Sequence, residues 1–373
     1  MKRDKIYDCA VIGGGLAGLC LSIQLAKKGH SVVLLEKSKY PFHKVCGEYI
    51  SMESWSFLEK LGLPLSEMNL PKINSLSVSE QNGFKIGSEL KMGGFGISRL
   101  TLDYELFSLA KKNGVLVLEN CKATGVALTN MLYKIESTSG QLFAKLVCGS
   151  YGKLEPTFMA TGPKNTVGNY IAVKYHVKIN FPDNLIELHN FKDGYCGISK
   201  VDNENYCICY LTTTKNLRDN KNDIKALEQN VLMQNPYLKK YFTEAKFMFE
   251  KPLVISQIGF NKKSTYKKDV ILLGDAAGAI APLCGNGMSL AMRSSKLLAK
   301  YVSGYINGNM SKIELVDFYT KAWNKNFSIR IRVGYYLQKL FGKKATTWIS
   351  LKILSFSPRL FRKLITWTHG NVY

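Results

Sequence analysis

Three glycines near the start of the chain and one carboxylate after them have the spacing of a nucleotide site. Gly13, Gly15 and Gly18 form the pattern G-x-G-x-x-G, and Glu36 follows eighteen residues after the last of them. The first glycine permits a tight turn, the second lets the backbone approach a pyrophosphate, and the third lets helix and strand pack closely. The pyrophosphate would face a helix N-terminus, and Glu36 would accept hydrogen bonds from a ribose diol.

The elements predicted around this motif are those that a dinucleotide site requires. Residues 7–12 and 31–36 are apolar and predict strands, while residues 16–28 between them predict a helix. A strand, a helix and a second strand form a βαβ unit with a right-handed crossover. The glycine turn therefore lies at the carboxyl end of the first strand, where a dinucleotide binds.

A second glycine-rich segment, far along the chain, carries a similar signal. Residues 270–278 read V-I-L-L-G-D-A-A-G, and Pro282 and the sequence G-N-G-M at residues 285–288 follow. A strand that ends in Gly-Asp and leads through small residues into a helix presents a further set of backbone N–H groups. This segment resembles the flavoprotein family of aromatic hydroxylases, flavin-dependent halogenases and geranylgeranyl reductases.

The resemblance implies an FAD site to which both glycine segments contribute. In that family, an aspartate at the position of Asp275 hydrogen-bonds the ribityl chain of FAD. The turn at Gly285, Asn286 and Gly287 would contact the isoalloxazine ring, where backbone N–H groups stabilise negative charge on the reduced flavin. Arg99 matches an arginine that contacts FAD in the family, or it is a surface residue at a helix end.

Residues 41–48, P-F-H-K-V-C-G-E, are most similar to the geranylgeranyl reductase branch of the family, which has Cys-Gly-Gly near the flavin. This chain has Cys46, Gly47 and Glu48 instead, so it departs from the branch at the third position. Cys46 is either a thiol beside the flavin or a small packed residue.

These motifs give one set of predicted site residues. The residues predicted to hold FAD are Gly13, Gly15, Leu16, Ala17, Gly18, Glu36, Lys37, Lys44, Cys46, Gly47, Arg99, Gly274, Asp275, Pro282, Gly285, Gly287 and Met288. Those predicted to act at the reacting end of the flavin are Cys46, Gly285, Asn286 and Gly287. No metal site is expected, because the nine cysteines and five histidines lack the spacing of metal ligands.

The order of predicted elements indicates an α/β chain with a glutathione-reductase-like, two-domain FAD fold. Its Rossmann-type parallel sheet would be interrupted by an antiparallel substrate-domain sheet, because residues 170–214 are rich in β-branched and aromatic residues with regular turns. Gly194 and Tyr195 in that sheet resemble the substrate-wall motif of the geranylgeranyl reductase branch. The predicted division is an FAD-binding domain of residues 1–75, 100–169 and 255–310, a substrate domain of residues 76–99 and 170–254, and a helical C-terminal region of residues 311–373.

One further departure leaves the reductant open between NADPH and reduced ferredoxin. Tyr151 lies where the NADPH-using hydroxylases of the family have the aspartate of an Asp-Gly pair. A neutral phenol replaces that carboxylate, and the sequence has no second dinucleotide fingerprint. The formal net charge of +23 would suit an acidic electron-donor protein such as ferredoxin.

Charge and C-terminal composition also restrict the other partners. No nucleic-acid recognition motif accompanies the basic charge, so nucleic-acid binding is not expected. Residues 341–367 mix aromatic residues with Lys and Arg, which is typical of a helical cap over a substrate tunnel or of a peripheral membrane contact. Without a signal sequence or a run of eighteen apolar residues, the predicted location is the cytoplasm, including the inner face of the membrane.

The resulting hypothesis is an FAD-dependent oxidoreductase that acts on a hydrophobic small molecule. The preferred reaction is the reduction of C=C bonds in an isoprenoid-like substrate by hydride transfer from reduced flavin N5. The first alternative is a monooxygenase that hydroxylates an aromatic or polyketide-like substrate through a C4a-hydroperoxide, and the second is a non-catalytic FAD electron-transfer protein. A halogenase is disfavoured because the four tryptophans are isolated and no Trp-x-Trp-x-Ile-Pro stretch occurs.

Overall fold

Three β-sheets form the framework of the computed structural model, which describes residues 5–160, 169–258 and 263–373. The strands are β1 (Ile6–Tyr7), β2 (Cys9–Ile12), β3 (Val32–Leu35), β4 (Tyr49–Ser51), β5 (Lys72–Ser79), β6 (Lys85–Gly96), β7 (Leu116–Leu118), β8 (Ala123–Thr129), β9 (Leu132–Ser137), β10 (Gly140–Ala144), β11 (Val147–Gly149), β12 (Tyr170–Lys178), β13 (Leu185–Phe191), β14 (Gly194–Lys200), β15 (Tyr206–Thr213), β16 (Lys246–Phe247), β17 (Leu253–Ile258), β18 (Tyr266–Lys267) and β19 (Val270–Leu272). The helices are α1 (Leu16–Ala26), α2 (Trp55–Leu61), α3 (Arg99–Lys112), α4 (Thr214–Asp219), α5 (Ile224–Asn230), α6 (Pro236–Glu244), α7 (Gly287–Ile306), α8 (Lys312–Leu340), α9 (Lys344–Phe356) and α10 (Pro358–Thr368).

The parallel sheet holds both glycine segments at the carboxyl ends of its strands. Its order is β18-β19-β11-β2-β3-β7, and only the β18–β19 pair is antiparallel. Every residue of β2 and β3 is buried, as expected for the apolar central strands of a parallel sheet. Helix α1 connects β2 to β3 and packs against α3 and α7.

The strand predicted at residues 7–12 is two short strands in different sheets. β1 pairs with β10 in a four-stranded sheet of order β1-β10-β9-β8, whereas β2 lies in the parallel sheet. Asp8 separates the two strands, and its carboxylate accepts hydrogen bonds from the backbone N–H and the hydroxyl of Ser31, each at 2.8 Å. This polar contact turns the chain between the sheets.

The predicted antiparallel sheet is present and has nine strands. Its order is β16-β12-β15-β14-β13-β5-β6-β4, with β17 also paired to β12 and with β13 parallel to β5. The predicted boundary at residue 75 falls inside β5, and the boundary at 169 adjoins residues 161–168, which lie outside the described residues. Helices α4, α5 and α6 were not predicted, and α5 and α6 bury Leu227 and Leu238 against one face of this sheet.

The predicted helical C-terminal region consists of α8, α9 and α10. Ser311 and Glu314 form a capping box at the start of α8. Leu351, Leu354 and Phe361 of α9 and α10 pack on Val78 of β5, so these helices cover part of the nine-stranded sheet. Within the described residues, no helix is both long and apolar enough to cross a membrane.

Candidate active site

A cavity of about 1050 Å³ extends from the parallel sheet to the nine-stranded sheet and the C-terminal helices. Small-molecule and cofactor sites span roughly 300 to 1,000 Å³, so this cavity is large enough for both a cofactor and a substrate. Gly13 and Gly15 line it together with Gly285 and Gly287. The fold therefore brings the two remote glycine segments to one site.

The glycines of the first segment have different surroundings. Gly13 has φ +107°, and a Cβ there would lie 2.6 Å from the carbonyl oxygen of Ser150. A Cβ on Gly18 would lie 2.1 Å from the carbonyl oxygen of Gly13, whereas a Cβ on Gly15 would have no atom of the described residues within 4 Å. Gly15 is also the N-cap of α1 and no side chain caps that helix, so its first N–H groups are available for phosphate oxygens.

Glu36 is held at the same end of the cavity by two backbone donors. Its Oε2 accepts a hydrogen bond from Gly14 N–H at 2.8 Å, and its Oε1 accepts one from Ser38 N–H at 3.0 Å. A carboxylate oxygen has a second lone-pair site, so both oxygens can still accept from ribose hydroxyls. Gly14 must lack a side chain here, because a Cβ would lie 2.1 Å from Tyr40 Oη.

The second glycine segment forms the other end of the site. Asp275 lines the cavity, and its backbone carbonyl oxygen accepts a hydrogen bond from Lys263 Nζ at 2.7 Å. Helix α7 begins at Gly287, and the side chain of Asn286 donates to Thr368 O at 2.7 Å instead of capping the helix. The first N–H groups of α7 are therefore available for a bound ring.

Arg99 is the first residue of α3, but it is not a surface residue, because it lines the cavity in a buried ion pair. Its Nε and Nη2 donate to the two carboxylate oxygens of Asp103 at 2.8 and 2.7 Å, and Lys44 Nζ lies 2.8 Å from the same carboxylate. Burial opposes ionisation of Asp103, but the charges of Arg99 and Lys44 outweigh it and hold the pKa of Asp103 below its usual value. Asp103 thus fixes two cationic side chains on the cavity wall.

The segment that departs from the reductase motif also lines the cavity. Cys46 is partly buried, with its Sγ 3.6 Å from Met288 Sδ. Glu48 is fully buried and has φ +58°, a left-handed conformation that glycine adopts without steric cost. Its Oε1 accepts hydrogen bonds from Lys174 Nζ and from Arg99 N–H at 2.7 Å, and its Oε2 lies 2.6 Å from His176 Nε2. These contacts account for a glutamate at a position suited to glycine.

Nearly all of the predicted site residues lie on this cavity. Gly18 and Asn286 do not line it. Gly18 lies where α1 packs against β2, and Asn286 faces α10. Tyr195 lines it, but Gly194 packs against Phe191 instead. The predicted residues on its wall are Gly13, Gly15, Leu16, Ala17, Glu36, Lys37, Lys44, Cys46, Gly47, Arg99, Gly274, Asp275, Pro282, Gly285, Gly287 and Met288.

Two further segments on the wall contribute no residue to the predicted site. Residues 121–124 follow β7 and include the start of β8, and residues 150–157 follow β11. Sequence analysis singled out only Tyr151 of these, as a departure from an Asp-Gly pair, but ligands of parallel sheets bind outside the carboxyl ends of the strands. The positions of these strands were therefore the signal that could have identified both segments.

The remaining wall of the cavity is apolar and comes from the nine-stranded sheet, from α8–α10, and from Leu283 and Phe341 in connecting segments. It comprises Leu76, Val78, Leu90, Ile186, Leu188, Leu211, Val254, Ile255, Leu283, Leu337, Phe341, Leu354, Phe361, Leu364 and Ile365. Four residues on the cavity wall have a buried polar atom without a hydrogen-bond partner in the part of the chain that the structure describes; the atoms are His43 Nδ1, Tyr49 Oη, Tyr151 Oη and His369 Nε2. Buried polar atoms are usually paired, so these four fit a site completed by a bound molecule.

Comparisons with known proteins agree with this geometry. A family model described as an NAD(P)-binding Rossmann-like domain matches residues 11–44. The sequence is 25% identical to conditioned medium factor receptor 1 of Dictyostelium discoideum, over 90% of this chain and 72% of that protein. It is also 25% identical to digeranylgeranylglycerophospholipid reductase of Methanococcus vannielii, over 86% of this chain and 83% of that enzyme.

Solved structures share the fold over nearly the whole chain. The flavin-dependent brominase Bmp2 matches with a TM-score of 0.81 and 16% identity, over 98% of this chain and 93% of its own. PqsL, a probable FAD-dependent monooxygenase from Pseudomonas aeruginosa, matches with a TM-score of 0.73 and 15% identity, over 92% of this chain and 98% of its own. The predicted fold is thereby confirmed, and the predicted FAD cofactor and oxidoreductase activity agree with these likenesses. The chain is similar in sequence to a geranylgeranyl-lipid reductase and shares its fold with FAD-dependent monooxygenases and halogenases.

Proposed function

We propose that this protein reduces C=C bonds in an isoprenoid-like lipid. The observation that carries the proposal is the apolar compartment, which is continuous with the glycine-lined end of the same cavity. An isoprenoid chain gains about 0.8 kcal/mol for each CH₂-sized group that it buries against such a wall. Similarity to a digeranylgeranylglycerophospholipid reductase over 86% of the chain supports a substrate of this class.

Different residues of the site would bind different parts of the FAD molecule. The start of α1 would bind the pyrophosphate, Glu36 the ribose and Asp275 the ribityl chain. Bound FAD, once reduced, supplies a hydride to one carbon of the double bond. The N–H groups at the start of α7, beside Gly285 and Gly287, would stabilise negative charge on the ring.

Helix α9 supports contact with an anionic membrane, from which a lipid could enter the cavity. Leu351 and Leu354 face inward, whereas Trp348, Ile353 and Phe356 are exposed by 46%, 55% and 86% on the other side. Basic residues accompany this apolar surface and would favour an anionic lipid headgroup; they are Lys343, Lys344, Lys352, Arg359, Arg362 and Lys363. In this proposal the helical cap and the membrane contact would be two sides of one element.

The proposal is tested by mixing anaerobically reduced, FAD-loaded protein with a geranylgeranyl lipid. Flavin oxidation should accompany the gain of two hydrogen atoms per double bond, measured by mass spectrometry of the lipid. Ile365→Lys, which places a charge in the apolar compartment, should abolish this reaction. Ile329→Lys, at an exposed position of α8, should leave it intact.

Other outcomes would contradict the proposal. Insertion of an oxygen atom into an aromatic substrate under air would establish the monooxygenase alternative. A flavin that cycles with a redox partner but is oxidised by no lipid or aromatic compound would establish the electron-transfer alternative. The donor is identified by comparing reduction by NADPH with reduction by ferredoxin, and only the protein donor should slow steeply with added salt.

A further inference from the structure

A cluster of charged side chains is buried between α7, α8 and the segment before α2. Arg330 Nη2 donates to Glu53 Oε1 at 2.7 Å, and Arg293 Nη1 lies 3.7 Å from Glu53 Oε2. Glu53 is fully buried, while the side chains of Arg330 and Arg293 are exposed by only 7% and 19%. Two guanidinium groups therefore share one carboxylate.

The cluster is connected to the cavity through the backbone of Thr368. Arg330 Nε donates to Thr368 O at 3.3 Å, and Asn286 Nδ2 donates to the same oxygen at 2.7 Å. Thr368 lines the cavity. Asn286 is the middle residue of the turn whose two glycines, Gly285 and Gly287, also line it. One carbonyl oxygen thus joins Arg330 to the turn that is predicted to contact the flavin ring.

The titratable side chains that line the cavity beside the cluster are neutral. Burial lowers the pKa of His369, whose Nδ1 donates to Ile365 O at 2.8 Å. Burial raises the pKa of Cys284 to about 12 and also raises the pKa of Tyr49. The two arginines and one glutamate of the cluster therefore leave one positive charge in excess at this end of the cavity.

This excess charge is costly where it lies. Burial lowers the pKa of Arg293; the charge of Glu53 counteracts burial, but the charge of Arg330 adds to it. Lys296, the next charged side chain along α7, is also positive and adds to the imbalance. A buried cation that lacks a full counter-charge is destabilising. An anion bound in the adjoining cavity would relieve that cost.

The field of Arg330 extends to the cavity wall on both sides of the turn. Besides burial, the charge of Arg330 influences two of the pKa values described above. It opposes the rise in the pKa of Cys284, the residue before Gly285, and it adds to the fall in the pKa of His369, the residue after Thr368. Charges interact more strongly in a protein interior than in water, so a negative charge at the turn would be stabilised in the same way.

A structural role alone does not account for the cluster. Arg293 Nη1 also donates to Asn371 O at 3.0 Å, and Tyr373 Oη donates to Ser289 O at 3.2 Å, so the segment after α10 is held against α7. Such a tie requires donors for backbone oxygens. It does not require an unequal number of positive and negative charges.

We infer that the Arg330–Glu53–Arg293 cluster stabilises the reduced flavin and thereby raises its midpoint potential. Reduction adds two electrons and one proton to the ring near neutral pH, which leaves one negative charge on it. The N–H groups at the start of α7 would contact that charge, and the cluster would supply the counter-charge behind them. The three side chains act through the turn and Thr368, so they are positioning residues. The inference goes beyond the proposed function, because it holds whichever donor reduces the flavin and whichever substrate oxidises it.

The test is the midpoint potential of the FAD-loaded protein, measured against a redox dye during anaerobic reduction by dithionite. Arg330→Gln removes the excess charge and should change the ratio of reduced to oxidised flavin at least about tenfold, which lowers the potential by about 30 mV. Glu53→Gln doubles the excess charge and should raise the potential by about the same amount. Arg330→Lys keeps the charge and should stay within about twofold, or ~10 mV, of the unmodified protein.

Lys85→Gln is the matched control. Lys85 forms an ion pair with Glu187, whose side chain is only 2% exposed, and neither residue lines the large cavity. This variant should keep the potential of the unmodified protein. The opposite shifts of Arg330→Gln and Glu53→Gln distinguish an effect of charge from structural damage, because damage would not lower the potential in one variant and raise it in the other.

The outcomes separate this inference from the proposed function. Potentials within about twofold of normal in Arg330→Gln, Arg293→Gln and Glu53→Gln would overturn the inference and leave a structural ion pair. Arg293→Gln, at a partly exposed position, decides the question if Arg330→Gln retains no FAD. The expected shifts without lipid reduction by the unmodified protein would refute the proposed function and leave the inference intact. Lipid reduction together with unchanged potentials would do the reverse.

Discussion

Glu48 illustrates how one side chain can alter a motif without altering its backbone. A left-handed conformation costs a residue with a side chain roughly 1 to 2 kcal/mol relative to glycine. Contacts with Lys174, His176 and the backbone of Arg99 offset that cost. The glycine of the related motif and the glutamate of this chain are thus compatible with the same turn, but only the glutamate adds a buried carboxylate that pairs with Lys174 and His176.

At the scale of single residues, Gly18→Ala should lower the stability of the protein, whereas Gly15→Ala should weaken FAD binding. A Cβ on Gly18 would overlap the Gly13 carbonyl, so we expect a stability loss of about 1 to 3 kcal/mol in the FAD-free protein. A Cβ on Gly15 meets no described atom, so the free protein should keep its melting temperature and retain FAD less tightly. Thermal melts of both variants with and without FAD test this prediction, and equal destabilisation of the FAD-free forms would contradict it.

The buried carboxyl group of Glu228 should make the free energy of unfolding depend on pH. Burial raises its pKa from 4.5 to about 7, although Tyr175 and Tyr210 donate hydrogen bonds to it. The native state then binds more protons than the unfolded state between these two pH values, so stability falls as the pH rises through them. At about 1.4 kcal/mol per pH unit the loss is at most about 3 kcal/mol.

Replacement of this carboxyl by an amide should remove the effect. Glu228→Gln keeps an oxygen that can accept from both tyrosines but does not ionise. Urea denaturation at a series of pH values should show a smaller decline for the variant, which becomes the more stable protein above pH 7. Parallel curves for the two proteins would show that Glu228 titrates normally.

The residues that sequence predicts well are those whose role is local. Gly13, Gly15 and Gly18 are fixed by backbone geometry within one turn, and the structure places them as the pattern requires. The partners of Glu48 could not be predicted, because Lys174 and His176 are 126 and 128 residues away and carry no motif of their own. Their meeting depends on the packing of β12 against the segment that follows residue 41.

At the scale of elements, α4, α5 and α6 show why short helices were missed. They have six, seven and nine residues, too few turns for a clear apolar period. The residues that cap these helices could nevertheless have indicated where each helix begins. Thr213, Asp223 and Asn235 are common N-cap types, and the side chain of each accepts a hydrogen bond from the first turn of the helix that follows. The longer helix α1, predicted over residues 16–28, begins at the predicted residue and ends two residues early, at Ala26.

The turn between α8 and α9 should determine how tightly α9 and α10 pack against the nine-stranded sheet. Gly342 has φ +81°, its carbonyl accepts from Asp193 N–H at 2.7 Å, and a Cβ would lie 2.9 Å from Gly194 N. Gly342→Ala should therefore loosen α9 and α10 and speed proteolysis of this region. Gly308→Ala is the control, since φ is +75° there but a Cβ meets no described atom. Equal proteolysis rates in both variants would show that the effect comes from the positive φ that the two glycines share, and not from the contact of Gly342 with Asp193 and Gly194.

At the scale of the whole molecule, the charge of +23 and the exposed face of α9 predict binding to anionic vesicles. Replacing Phe356 by Ser should weaken binding by roughly ten- to a hundredfold, since burying such a side chain is worth about 1.5 to 3 kcal/mol. Met131→Ser is the control, because Met131 is 90% exposed in the turn between β8 and β9, away from α9 in the sequence. Sedimentation with vesicles measures both, and added salt should weaken binding by every variant. Equal binding by the two variants would exclude α9 as the contact.

Helices α9 and α10 lie apart in sequence from the strands and helices that carry the FAD-site residues, yet they provide one wall of the apolar compartment. Recognition of a substrate can therefore diverge without disturbing the redox centre. Exchange of residues 344–368 with the equivalent segment of a homologue should transfer the preferred chain length of the substrate. The absorption spectrum and the midpoint potential of the flavin should stay those of the recipient.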